Sequence, residues 1–72
     1  MDFSNALLNI KGGERMTRAG WNGVGMYVEA QIPDDESKMG LPYIYIKTVN
    51  DEFVPWTPSQ TDLFAEDWSI AD

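Results

Sequence analysis

The sequence predicts an α+β fold: an N-terminal helix packed on a small antiparallel sheet of about five short strands, forming a homo-oligomer. Two observations predict the architecture. An opening segment carries apolar residues at helical spacing, and most of the remaining chain is short alternating runs separated by Gly, Pro, Asn and Asp. A third predicts assembly: 72 residues without cysteine make one domain spanning 1–72, with a small core and no disulfide to reinforce it.

Asp2 to Lys11 reads as the helix, with Asp2 as N-cap and Phe3, Ala6, Leu7 and Ile10 on one face; Gly12 and Gly13 end it. Glu14 to Arg18 is a first strand, with Met16 facing away from Arg15 and Thr17. A glycine-rich loop leads to Met26–Gln31, where Met26, Val28 and Ala30 oppose Tyr27, Glu29 and Gln31. Ile32 to Pro42 is a connection, and its trio Asp34-Asp35-Glu36 lacks the alternating spacing of a calcium loop and reads as solvated. Tyr43 to Thr48 alternates aromatic and β-branched residues, placing Tyr43, Tyr45 and Lys47 on one face. Asn50-Asp51 turns the chain into Glu52–Trp56, where Pro55 demands an edge or an end. Ser59 or Thr61 caps a short helical turn through Ala65, and Asp67 to Ile70 closes as the last strand.

Composition narrows the chemistry. Twelve acidic against five basic residues give a net charge of −7, against the phosphate neutralisation that direct nucleic-acid binding needs. Such a surface suits a basic protein partner instead. The absence of histidine removes the commonest general base and metal ligand, and the serines have no evident activating partner. Asp62, Glu66 and Asp67 are the one carboxylate cluster near an aromatic residue, and capping and solvation around a helical turn explain it better than acid–base catalysis. The expectation is a protein that is not an enzyme and needs no cofactor or metal. No long apolar run or basic-then-apolar leader is present, so the expected location is the cytoplasm, without membrane contact.

Binding is better supported, and the segment Thr17-Arg18-Ala19-Gly20-Trp21-Asn22-Gly23-Val24-Gly25-Met26 is its focus. Gly23 and Gly25 let backbone approach a ligand closely, and Trp21 offers a flat face. The loop suits a planar, polar molecule; equally, it is a turn whose tryptophan plugs the core. The abundant aromatic residues fit either base stacking or an interface between subunits.

That loop, with the later Val54-Pro55-Trp56-x-x-Ser59-Gln60-Thr61-Asp62-Leu63-x-Ala65-Glu66-Asp67-Trp68, resembles a family of small phage and prophage proteins. Long catalogued as a domain of unknown function, it is associated with Thoeris anti-defence, as the second family of that kind. The likeness covers nearly the whole chain. It implies a sponge: a homo-oligomer, typically a tetramer, that sequesters cyclic ADP-ribose isomers made by TIR-domain proteins in the host cytoplasm. The Thoeris effector then stays inactive. Some relatives also take up cyclic oligonucleotides. At least one is an anti-CRISPR that inhibits Cas9, which leaves an alternative: a protein-binding inhibitor of a nucleic-acid-handling defence enzyme.

The resemblance assigns ligand-binding roles to Arg18, Trp21, Asn22, Gly23, Gly25, Met26, Ser59, Gln60, Thr61 and Asp62. Arg18 would hold the pyrophosphate, Trp21 the base or the wall behind it, and Asn22 with the glycine N–H groups the ribose hydroxyls and phosphates. Ser59 to Asp62 would form a second polar edge, with the Asp62 carboxylate on a ribose diol. Against this, Arg18 can instead pair with Asp62 or Glu66, and Trp56 and Trp68 suit the core. Many relatives carry a longer, more apolar or proline-rich connection where this chain has its acidic trio, whose charge would oppose a pyrophosphate if it lined the pocket.

Overall fold

Helix α1 (Phe3–Lys11) begins where the Asp2 carboxylate accepts the Asn5 N–H at 2.9 Å. This carboxylate satisfies one of the donors that a helix start leaves unpaired. The helix ends at Gly12, whose N–H reaches the Leu8 and Asn9 carbonyls, and the chain turns at Gly13 with φ of 97°. Only a residue without Cβ takes that conformation cheaply. The computed structural model describes residues 1–71.

The strands are β1 (Met16–Arg18), β2 (Tyr27–Gln31), β3 (Tyr43–Lys47), β4 (Phe53–Pro55) and β5 (Trp68–Ile70), with a short helix α2 (Gln60–Phe64) before β5. They form one sheet in the order β4-β3-β2-β1-β5, every neighbouring pair antiparallel. Each strand is shorter than its alternating pattern by one or more residues, because alternation continues past the last residue that finds a ladder partner. Pro55 lies on edge strand β4, as its missing donor requires. The Trp68 N–H donates to the Met1 carbonyl at 3.1 Å, which covers part of the other edge at β5.

The register sorts the side chains. Val28 stands opposite both Met16 and Ile46, and Ala30 opposite Ile44, on the face that α1 covers. Ala6, Ile10, Met16, Val28 and Trp68 are the buried apolar core, with Phe3, Trp21, Trp56 and others packed around it. Tyr27 pairs with Lys47, Glu29 with Tyr45 and Gln31 with Tyr43, all on the opposite face. No element of the described chain covers that face.

Connectivity also sorts the loops. The β1–β2 loop and the β3–β4 turn lie at one end of the sheet, and the segment holding α2 leaves β4 at the other end and enters β5 at this one. The acidic connection 32–42 leaves β2 at Gln31, the other end. Within one copy it therefore does not line the tryptophan loop. Its Asp34 carboxyl is lowered from the ordinary range by the Glu36 N–H and then the Ser37 hydroxyl, in a self-contained turn.

Candidate functional site

Arg18 is the centre of the loop end. It closes β1 opposite Trp68, on the helix-covered side of the sheet. Its Nε donates to Asp67 Oδ1 and its Nη1 to Asp62 Oδ1, each at 2.8 Å, and its side chain is only 11 % exposed. Both acids lie more than forty residues downstream in sequence. Glu66, the other acid weighed as a partner, makes no side-chain ion pair with Arg18.

Each acid also holds backbone. Asp67 Oδ2 accepts the Gly20 N–H at 2.8 Å, tying the start of the loop to β5. Space at Gly20 is tight: a Cβ there would sit 3.1 Å from both Arg18 Nη2 and Asp67 Oδ2, which would have to give by a few tenths of an ångström. Asp62 Oδ1 takes the Trp21 Nε1–H at 3.1 Å, while Oδ2 accepts the Ser59 N–H at 2.9 Å. The Ser59 hydroxyl in turn accepts the Asp62 N–H, completing a capping box at the start of α2. Trp68 Nε1 donates to the Asp62 carbonyl. One carboxylate thus fixes a helix cap, an arginine and an indole.

These partners shift the titrations. Burial pushes the Asp62 carboxyl up, but the Ser59 N–H, Arg18, Trp21 and the Ser59 hydroxyl outweigh it, leaving the group below the usual carboxylate range. Asp67 is lowered chiefly by Arg18, with help from the Gly20 N–H. Arg18 is raised by Asp67 first and then Asp62. Depressed carboxyls stabilise the fold above their unfolded value, and that contribution is lost as pH falls through the folded value. Stability to urea is therefore expected to be level near neutrality and to fall steeply below about pH 4, the ordinary value for Asp. The Asp67→Asn protein should show a shallower acid limb; a limb as steep as that of the parent would remove Asp67 from this account.

Trp21 is half-buried, its ring edge-on to Trp68 at 5.3 Å and to Trp56 at 6.4 Å between centroids. It packs against the buried core and keeps part of its surface exposed. Beyond it, Asn22 is exposed and Gly23 packs against the β3–β4 turn. A Cβ on Gly23 would overlap the Met26 sulfur and lie 2.9 Å from Val49 Cβ, so Met26 acts as the floor of the loop. Gly25 has φ of 78°, a conformation that glycine adopts freely. Its carbonyl accepts from Lys47 Nζ at 3.2 Å, and Lys47 also pairs with Asp51 at 2.6 Å.

The structure brings Arg18, Trp21, Ser59 and Asp62 into one hydrogen-bonded cluster. Asn22, Gly23, Gly25 and Met26 form the adjoining loop, and Gln60 and Thr61 are exposed on the first turn of α2. Two residues of this end escaped the sequence reading as site members. Asp67 did so because its partners are distant in sequence. Lys47 did so because its strand position said nothing about the loop, although its face of β3 was legible. Among the described residues no group of histidine, cysteine and carboxylate side chains has the arrangement of a metal site, and no helix is long and apolar enough to cross a membrane.

The chain matches a known family along its whole described length. The Thoeris anti-defense 2-like domain covers residues 1–71, and the protein belongs to that family, which gives it an anti-defence role. Among characterised proteins it is similar to Thoeris anti-defense 2 of Bacillus phage SP01. The two are 36 % identical over 83 aligned positions, covering 97 % of this chain and 93 % of the phage protein.

Proposed function

We propose that the chain binds and sequesters a cyclic nucleotide immune signal, a cyclic ADP-ribose isomer made by a TIR-domain protein. It thereby prevents activation of the Thoeris effector without turning the signal over. The reading places it in the host cytoplasm as a homo-oligomer, a tetramer as in the family it belongs to. Its main structural support is the pinned loop 20–26. Gly20 is fastened to Asp67, Trp21 to Asp62 and Gly25 to Lys47, so the loop's exposed groups are held in place before a ligand arrives.

In this reading Trp21 supplies the stacking surface, Asn22 and the glycine amides meet hydroxyls and phosphate oxygens, and Gln60 and Thr61 form the opposite polar edge. Arg18 acts through its remaining N–H donors, since Nε and Nη1 are engaged. With two carboxylates beside it, its attraction for an anion is largely offset. Lys47 is a second cation at the loop, reaching the Gly25 carbonyl from the opposite face of the sheet while paired with Asp51.

Calorimetric titration with a cyclic ADP-ribose isomer tests this, followed by heat release and chromatography of the ligand. Saturable binding with intact ligand recovered is the expected result. Recovery of a cleaved product would make the protein a hydrolase. Absence of binding to TIR-derived isomers would overturn the ligand assignment, leaving cyclic oligonucleotides or a protein target.

A further inference from the structure

We propose that Lys47 is a positioning residue of the binding site: from the other face of the sheet it holds the second half of the tryptophan loop against the β3–β4 turn, without touching the ligand. The inference rests on the loop-binding reading above and adds what sets the loop's far end. Asp67 and Asp62 tie the near end, at Gly20 and Trp21. Gly23 and Gly25 then give the backbone wide freedom, which ligand binding would otherwise have to remove. Gly25 sits at φ of 78°, and its carbonyl accepts from Lys47 Nζ at 3.2 Å.

The turn behind Lys47 is well fixed. The Thr48 carbonyl accepts the Asp51 N–H at 3.0 Å, and the Thr48 N–H donates to the Glu52 carbonyl at 2.8 Å. The Thr48 hydroxyl accepts the Glu52 N–H at 3.1 Å. Asp51 takes φ of 62°, a left-handed conformation that aspartate tolerates. Its carboxylate meets Lys47 Nζ at 2.6 Å, so one ammonium joins loop and turn at their left-handed residues. A second contact joins them at Gly23, where an added Cβ would lie 2.9 Å from Val49 Cβ.

Placement separates holding the loop from touching the ligand. Lys47 stands opposite Tyr27 on the uncovered face, with Nζ 5.9 Å from the centre of that ring. Trp21 packs with the core, on the side that α1 covers. A ligand stacked on Trp21 is therefore expected across the loop from the ammonium. Asp51 also answers the lysine charge directly, which weakens its pull on a phosphate. The path left for Lys47 to act on binding runs through Gly25.

Backbone relaxation of the isotope-labelled, ligand-free chain and calorimetric titration with a cyclic ADP-ribose isomer test the proposal together. Lys47→Met removes the ammonium and keeps an unbranched stem. Asp51→Asn, at a side chain 79 % exposed, removes the counter-charge and keeps a residue suited to the left-handed turn. Lys38→Met repeats the first charge change at an exposed position on the connection at the other end of the sheet. Circular dichroism confirms that each variant is folded. The Gly25 amide of the parent is expected near the rigid order parameter of about 0.85, with Lys47→Met below about 0.6 and Asp51→Asn between them. Affinity should fall about 5- to 30-fold in Lys47→Met, the factor that ordering one backbone residue is worth, and by less in Asp51→Asn. Lys38→Met should change neither quantity. An unchanged Gly25 order parameter in Lys47→Met, or an equal change in Lys38→Met, would overturn the proposal. So would tighter binding by Asp51→Asn, because a freed ammonium would then be meeting the ligand itself. A parent that binds no isomer refutes the ligand reading alone, and the Gly25 order parameters still decide whether Lys47 holds the loop.

Discussion

Asp62→Ala is expected to lower the unfolding free energy by about 3–4 kcal/mol, a large part of what a domain of this size possesses. The side chain is 10 % exposed and holds three donors from three parts of the chain: Arg18, Trp21 and the Ser59 N–H. Truncation leaves the indole and the cap amide without a partner and removes one of the two counter-charges of Arg18. Orphaned buried donors cost about 1–3 kcal/mol each, partly recovered where water enters. In thermal melts the midpoint should fall by more than about 10 °C, at the usual 4–8 °C per kcal/mol for small domains. Asp62→Asn keeps an acceptor and should lose about half as much. In a double-mutant cycle with Arg18→Ala, a coupling of about 1–3 kcal/mol is expected; strict additivity would mean that the pair does not act as a unit.

Trp21 carries the largest expected effect on binding. Trp21→Ala should weaken affinity for a cyclic ADP-ribose isomer by roughly 5- to 150-fold, the equivalent of about 1–3 kcal/mol of base stacking. Trp21→Phe retains a ring but deletes the Nε1–H that Asp62 accepts, so affinity should stay within about threefold while stability drops by about 1 kcal/mol. Titration calorimetry on both variants, at a temperature where circular dichroism shows them folded, separates the two roles. If Trp21→Ala binds as tightly as the parent, the indole is a core plug and the ligand lies elsewhere.

What could be read from the sequence is what local chemistry dictates. The Asp2 cap, the Gly13 turn, the edge placement of Pro55 and the facing of Tyr43, Tyr45 and Lys47 each depend on neighbours within a few residues, and each stands in the structure as expected. The pairing of Arg18 with Asp62 was weighed as one of two possibilities. Its pairing with Asp67, and the grip of that carboxylate on Gly20, depend on β1 and β5 lying side by side across 49 residues of sequence. No periodicity reports that adjacency. Strand order was equally silent, and with it the placement of the acidic connection at the end of the sheet away from the tryptophan loop.

The two kinds of fluorophore are segregated in this molecule. Trp21, Trp56 and Trp68 pack together against the core, with ring centroids 5.3–6.4 Å apart. Tyr27, Tyr43 and Tyr45 all stand on the uncovered side of the sheet. Emission excited selectively at the indoles therefore reports on the loop and its tethers. The difference between that signal and one excited through the phenols reports on the sheet face. A single unlabelled sample can therefore report on the loop and on the sheet face as two optically distinct signals.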